Sequence, residues 1–408
     1  MKNHHWLNST VLGAGITSGF GDFCYETATV LLPGFLAVLG LPASYLGFIE
    51  GTADATANFT KIFSGYIANK LGHRKSLVVL GYALTPIGQM FLALANGLPL
   101  LFLGRMISWF GKGLRGPLRD AIVVQSIQPE HKGKAFGFHR AADTLGAIIG
   151  PLLGIFLLHF FQSFHFHNLT SPFRWVLWLS VIPGILSALA FLFLVKDSKQ
   201  TPNPTAKFLH SFSSIPKKFK KFIISTSIFG LGNFSHSLLI LAATTILTPY
   251  FGIIKSAQIA GFFYVWRNII QIIFSYPIGW IADKLGHLKI FTLGYFIGFF
   301  TSLFLSFIFW YSYHFHNINM IFVFLSILFF IAGIYISFEA SLKSTVTSEL
   351  VDSKVLVLSY GTIGTINGIT KFLSSSIISL LWTLFSPIIG FSLSAVFMLL
   401  GSILLFFI

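Results

Sequence analysis

One cysteine, Cys24, is all that the 408 residues contain. A lone thiol closes no disulfide within the chain and leaves no multi-cysteine metal site. Charge is scarce too: Asp, Glu, Lys and Arg make up 10%, against about 25% in ordinary soluble domains. Acids are the rarer sign, 12 against 27 basic residues. The sequence has no Walker motif, no Ser/His/Asp set that stands out and no run of metal ligands. An ATP-driven pump and a membrane enzyme are therefore disfavoured, and neither metal nor cofactor is expected. Apolar residues fill the space instead, at 54% of the chain with a mean hydropathy of +0.80. That composition excludes a disordered chain, a stapled secreted domain and a soluble enzyme, and it fits helices packed in a membrane.

A span needs about 20 mostly apolar residues. Twelve are read here, at 11–38, 45–67, 76–95, 98–110, 135–161, 174–195, 222–247, 257–282, 290–310, 318–340, 355–382 and 388–408. Barrel-type alternation is missing, so helices must satisfy the backbone in lipid. The first span lacks a small-residue cleavage pattern and reads as a retained helix, not a signal peptide. Twenty basic residues fall at the N-terminus and the even-numbered connections, and two, Arg174 and Lys255, fall on the other side. The positive-inside rule then puts both termini in the cytoplasm. The Lys-, Ser- and Pro-rich stretch 196–221 reads as a cytoplasmic linker between a bundle at 1–195 and another at 222–408. The formal charge of +15 thus belongs to loops facing lipid head groups, and no nucleic-acid partner is expected.

The halves repeat one another. Gly65-Tyr-Ile-Ala-Asn-Lys-Leu-Gly-His-Arg-Lys75 returns 214 residues later as Gly279-Trp-Ile-Ala-Asp-Lys-Leu-Gly-His-Leu-Lys289. Gly21-Asp22-Phe23 returns more weakly as Gly232-Asn233-Phe234. The first segment, with Gly65, Gly72 and Arg74, resembles the signature loop of the major facilitator superfamily, and Gly279, Asp283 and Gly286 are its second copy. Arg105 is similar to that family's arginine in span 4. Gly146-Ala-Ile-Ile-Gly-Pro-Leu-Leu-Gly154, holding Gly150 and Pro151, is similar to the span-5 motif of its exporter branches. The resemblance implies an all-α polytopic fold of twelve helices in two pseudo-symmetric six-helix bundles, enclosing a cavity that opens alternately to each side. Asn69 stands where the family carries an acid, which implies a looser cytoplasmic gate; Asp283 keeps that acid in the second half.

Six of the twelve acids fall within spans: Asp22, Glu26, Glu50, Asp54, Asp143 and Glu339. Charges there are costly and should face a cavity or one another. Asp22 and Glu26 lie one turn apart on span 1. Two close carboxylates resist joint ionisation, which suits one of them to carry a proton. The alternative is permanent pairing with Arg105 or Arg140. Glu50 and Asp54 repeat the spacing in span 2, as a second coupling pair or a hydrated vestibule. Arg140 with Asp143 and Glu339 with Lys343 read as helix ion pairs. Arg267 and Lys371 find no partner in their own spans, so with Asn233 and His236 they are candidates for a substrate cavity with a positive wall. Pro151 should bend span 5 and its glycines should admit a close neighbour.

Three patterns take a bland reading. Gly111-Lys-Gly-Leu-Arg-Gly-Pro-Leu-Arg119 looks like a phosphate cradle but has no preceding strand, and reads as a basic loop at the head groups. His165-Phe-His167 and His314-Phe-His316 read as solvated loop histidines, and the 48 Phe as lipid-facing cover. The expectation is a monomeric, proton-coupled exporter of a small organic molecule in a bacterial inner membrane, with substrate, protons and lipids as its partners. Import of an organic anion, and a non-transporting sensor or assembly role, are the alternatives.

Overall fold

The computed structural model describes residues 7–71, 74–128, 131–164, 166–196, 216–351 and 356–408. Gly72, the side chain of Asn69, the surroundings of Gly65 and nearly all of the linker lie outside those residues. Among the described residues every regular element is a helix. The long apolar runs leave the backbone no other way to pair in lipid. Thirteen helices among the described residues make twelve passages: α1 (Ser9–Val38), α2 (Ala43–Leu71), α3 (Lys75–Leu94), α4 (Leu98–Gln125), α5 (Lys132–Gln162), α6 (Ser171–Leu194), α7 (Lys217–Gly230), α8 (His236–Phe251), α9 (Ile253–Leu285), α10 (His287–His314), α11 (Ile318–Glu349), α12 (Leu356–Leu384) and α13 (Pro387–Phe406).

Two boundaries differ from the sequence reading. The fourth span does not stop at 110; α4 runs on to Gln125 through the whole Gly-rich stretch. Glycine costs a helix about 1 kcal/mol each, but here it permits contact that a side chain would block. A Cβ on Gly111 would stand 2.5 Å from the Gly81 carbonyl, and one on Gly104 would stand 2.7 Å from that of Gly88. α3 and α4 thus meet backbone to backbone, the way helices gain attraction in a solvent as apolar as themselves. The seventh span, in turn, is interrupted. α7 ends at Gly230 and α8 begins at His236, with Ser235 as its N-cap.

The chain divides into two units, residues 1–35 with 56–208 and residues 36–55 with 209–408. In the first, Val78, Tyr82, Leu118, Ile122 and Phe191 make one buried cluster. In the second, Phe219, Phe222, Phe229, Phe291 and Tyr295 are fully buried, and Phe229 stacks on Tyr295 at 3.6 Å. Part of the phenylalanine set therefore builds a core, while Phe193, Phe300 and Phe406 are among those left on the outside. Also in the second unit, the start of α2 lies along α12. Ser44 N–H donates to Thr383 Oγ1 at 2.9 Å, and a Cβ on Gly47 would meet the Ser375 carbonyl. Gly286, between α9 and α10, has φ +98, a conformation that glycine adopts without steric cost. The signature segment turns there.

Candidate functional site

In the first unit, α4 ranges its cations along α1. Arg105 Nη2 donates to Thr29 Oγ1 at 3.0 Å, and its guanidinium lies 4.0 Å over the Trp109 ring. Lys112 sits 3.9 Å over the Tyr25 ring. Arg119 Nη1 donates to Ser18 Oγ at 2.7 Å and to the Tyr82 hydroxyl at 3.2 Å. Arg115 donates to Thr85 and covers the other side of this row against the Tyr82 ring. Positions 105, 112 and 119 recur every seventh residue and so keep to one helix face. Thr29, Tyr25 and Ser18 descend α1 in step with them. The basic segment 111–119 is therefore not a loop at the head groups. Arg115 is buried, with its donors taken up by Thr85, its face on the Tyr82 ring and Asp22 within electrostatic reach.

Asp22 and Glu26 lie on this stretch of α1. Glu26 is buried and Asp22 half-buried, within electrostatic reach of Lys112, Arg115 and Asp143. α5 closes against them through its glycines. A Cβ on Gly146 would stand 2.3 Å from the Gly19 carbonyl and 3.0 Å from Asp22 Cβ, and one on Gly150 would stand 2.7 Å from the Phe23 carbonyl. Thr27 Oγ1 also donates to the Gly150 carbonyl at 3.0 Å. Pro151 lies within α5.

One turn before Gly146, Asp143 does not meet Arg140. Arg140 is exposed, while Asp143 Oδ2 stands 3.5 Å from His139 Nδ1. The i,i+4 neighbour thus takes the place expected for the i,i+3 one. His139 Nε2 is 2.7 Å from Ser18 Oγ. The spacing of a Ser/His/Asp set is present, but Ser18 is buried and is also held by Arg119 and Tyr82. Nothing in the sequence singled out His139, because one imidazole on a helix gives no periodic signal.

In the second unit, the four cavity candidates come together. Asn233, His236, Arg267 and Lys371 line one cleft, with Phe234, Thr301, Tyr335 and Met398 among its other walls. The break between α7 and α8 opens it. Unwinding at 231–235 frees backbone groups that a continuous helix would pair. Neighbouring serines take them up: Ser394 Oγ donates to the Gly232 carbonyl at 2.7 Å, and Ser375 Oγ accepts from Ser235 N–H at 3.0 Å. His236 stacks on Tyr264 with centroids 5.4 Å apart.

Most charges around this cleft are paired. Lys343 Nζ meets Glu339 Oε1 at 2.8 Å, and Tyr335 and Asn233 also donate to Glu339. Lys371, without a partner in its own span, reaches Asp54 of α2 at 3.5 Å. Glu50, fully buried, accepts from Ser235 Oγ at 3.5 Å. At the far end of α9, His287 lies between Asp283 at 3.0 Å and Glu349 at 2.6 Å. Arg74 stands at the start of α3.

The profile of the Major Facilitator Superfamily matches residues 11–255. The chain belongs to that superfamily. It is 28% identical to an uncharacterized MFS-type transporter of Methanocaldococcus jannaschii, over all of this chain and 96% of that protein. Multidrug resistance protein MdtH of Photorhabdus laumondii is 31% identical over 38% of this chain and 36% of its own length. Among solved structures, a peptide transporter, POT, superimposes with TM-score 0.77 at 16% identity, covering 97% of this chain and 93% of that one. The nucleoside transporter NupG does so with TM-score 0.75 at 15% identity, covering 97% and 98%. Such low identities speak for the fold alone. The protein is an integral membrane transporter with the twelve-span fold of the superfamily, and not an enzyme.

Proposed function

We propose that the protein is a proton-driven exporter of a small organic molecule, working as a monomer by alternating access between the bundles at 1–195 and 222–408. The observation that carries this reading is the placement of Asp22 and Glu26. Two carboxylates one turn apart are held beside a row of α4 cations and against the glycines of α5. Buried carboxylates among fixed cations change protonation when a nearby charge arrives or leaves. Glu26 carries the proton, Asp22 assists it, and Arg105 holds the local field. Asp54, tied to Lys371, and Glu50 make a second ionisable set that would respond to a substrate in the cleft.

Export is supported by the partial likeness to MdtH and by the Gly146–Pro151 segment. The signature segments, from Gly65 to Arg74 and from Gly279 to Gly286, would gate the cytoplasmic side. Both termini and the linker would lie there, in a bacterial inner membrane. A tag near Ser213 tests that orientation: modification by an impermeant reagent outside intact cells overturns it.

The coupling test uses purified protein in liposomes with pyranine trapped inside. An imposed pH gradient should drive counterflow of substrate and protons, and reversing the gradient should reverse it. Substrate flux that ignores the gradient would remove proton coupling, while uphill flux in the direction of proton entry would make the protein an importer.

A further inference from the structure

Of the three cations around the cleft, Lys343 and Lys371 form ion pairs and Arg267 forms none among the described residues. Arg267 is only 6% exposed. Its guanidinium donates to Asn268 Oδ1 at 2.8 Å and lies 5.5 Å from the Tyr264 ring centroid. A neutral amide and a ring face leave its charge uncompensated. The described carboxylates of this unit lie elsewhere: Glu339 pairs with Lys343, Asp54 with Lys371, Asp283 and Glu349 with His287, and Glu50 accepts from the Ser235 hydroxyl. Arg267 thus has no carboxylate partner among the described residues. A buried cation without a counter-charge is strongly disfavoured. Arg267 lines the cleft, so the missing charge can be supplied from there.

We infer that the cleft binds an amphipathic organic monoanion, its carboxylate or sulfonate held by Arg267. A guanidinium presents paired N–H donors that match two oxygens of such a group. Thr301 and Asn233 add polar groups to the lining, while Phe234, Leu239, Ile336 and Met398 add apolar ones for the body of the ligand. A second negative charge has no free cation to meet, because Lys371 and Lys343 are already paired. A cationic substrate would face Arg267 at close range. This inference rests on reading the cleft as the substrate site, but binding is measured without a gradient, so the coupling reading can fail separately.

The test is calorimetry on the full-length protein in detergent, with benzenesulfonate, its uncharged analogue benzenesulfonamide and the cation benzylammonium. Benzoate serves as the carboxylate arm. Benzenesulfonate and benzoate should bind, and the amide and the cation should bind at least about tenfold more weakly. Arg267→Gln should weaken anion binding by roughly ten- to a hundredfold, the loss of one charged hydrogen-bonded contact. The same change should not lower the thermal midpoint of the ligand-free protein, because it removes a buried charge that pairs with no carboxylate. Arg267→Lys, which keeps the charge but not the fork, should fall in between. Equal binding of the amide, unchanged anion affinity in Arg267→Gln, or no anion binding at millimolar concentrations would each overturn the inference. If anions bind as described but flux ignores the pH gradient, only proton coupling falls.

Discussion

The same three-residue step has two fates in this chain. Gly21-Asp22-Phe23 continues as helix in α1, whereas Gly232-Asn233-Phe234 lies in the unwound gap between α7 and α8. The surroundings decide. In α1 the step is flanked by helix-compatible packing, and a Cβ on Gly21 would meet side chains alone, the edge of the Tyr82 ring at 3.0 Å and Arg115 Nη2 at 3.6 Å. In the second half Ser235 supplies a cap, and Ser394 and Ser375 receive the freed backbone groups. A break in a membrane helix survives only when such partners are at hand. The consequence is chemical. The unbroken copy keeps an acid within a rigid helix beside fixed cations, and the broken copy opens a cleft bordered by a cation. On the reading proposed here, the first unit handles protons and the second handles substrate.

The sharpest way to break that division is at the acids. Glu26→Gln cannot titrate, so flux driven by a pH gradient should vanish while expression and thermal stability stay near wild type. Asp22→Asn should give a milder loss or a shifted pH optimum. Liposome flux with trapped pyranine is the measurement. Uphill transport with normal pH dependence in Glu26→Gln would move the proton site to Glu50 or Asp54.

The next effect is on stability, in the second unit. Glu339 is held by Lys343, Tyr335 and Asn233. Replacing it with Gln strands the Lys343 charge in a mostly buried place, at a cost of roughly 3 kcal/mol. Thermal unfolding in detergent should show a clear drop, in contrast to Arg267→Gln. If both variants unfold alike, the distinction between paired and surplus charge in this unit is wrong.

How far these sites could be read in advance varied with the kind of residue. The apolar runs marked all twelve passages, because lipid leaves helix as their only solution. The Glu339–Lys343 contact was legible from one-turn spacing, since both lie on one helix. The run of α4 past 110 was not. Its glycines and cations look like a solvated loop, and only the close contact with Gly81 and the hydroxyls of Ser18, Tyr82 and Thr85 make the helix tolerable there. Lys371 with Asp54 and Ser18 with His139 join positions far apart in the chain. No spacing rule predicts such partners. The break at 231–235 depended on serines of α12 and α13, which the sequence of span 7 does not contain.

Those serines set up a packing test of the comparison. Gly232→Ala would place a methyl 2.4 Å from the Ser394 carbonyl. Backbone must move, at a cost of about 1–3 kcal/mol. Gly21→Ala faces a ring edge that can shift by a few tenths of an ångström, and its cost should be smaller. Thermal midpoints of the two variants, measured side by side, give the ranking. A larger loss at Gly21 would mean that the unwound step is not held in place by α13.

The smallest effect is expected at the second copy of the signature segment. His287 lies between Asp283 and Glu349, but those carboxylate side chains are 71% and 48% exposed. Water and salt screen such contacts, and exposed pairs contribute about 0–1 kcal/mol. His287→Gln should therefore shift the thermal midpoint little at low salt and less at high salt, where the Debye length falls to a few ångströms. The neighbouring turn gives the contrast. Gly286 adopts φ +98, so Gly286→Ala should cost more than His287→Gln although no side-chain contact is lost. That order would assign the stability of this connection to backbone geometry. The reverse order, with a strong salt dependence in the wild type that His287→Gln removes, would make the three side chains a tight charge cluster instead.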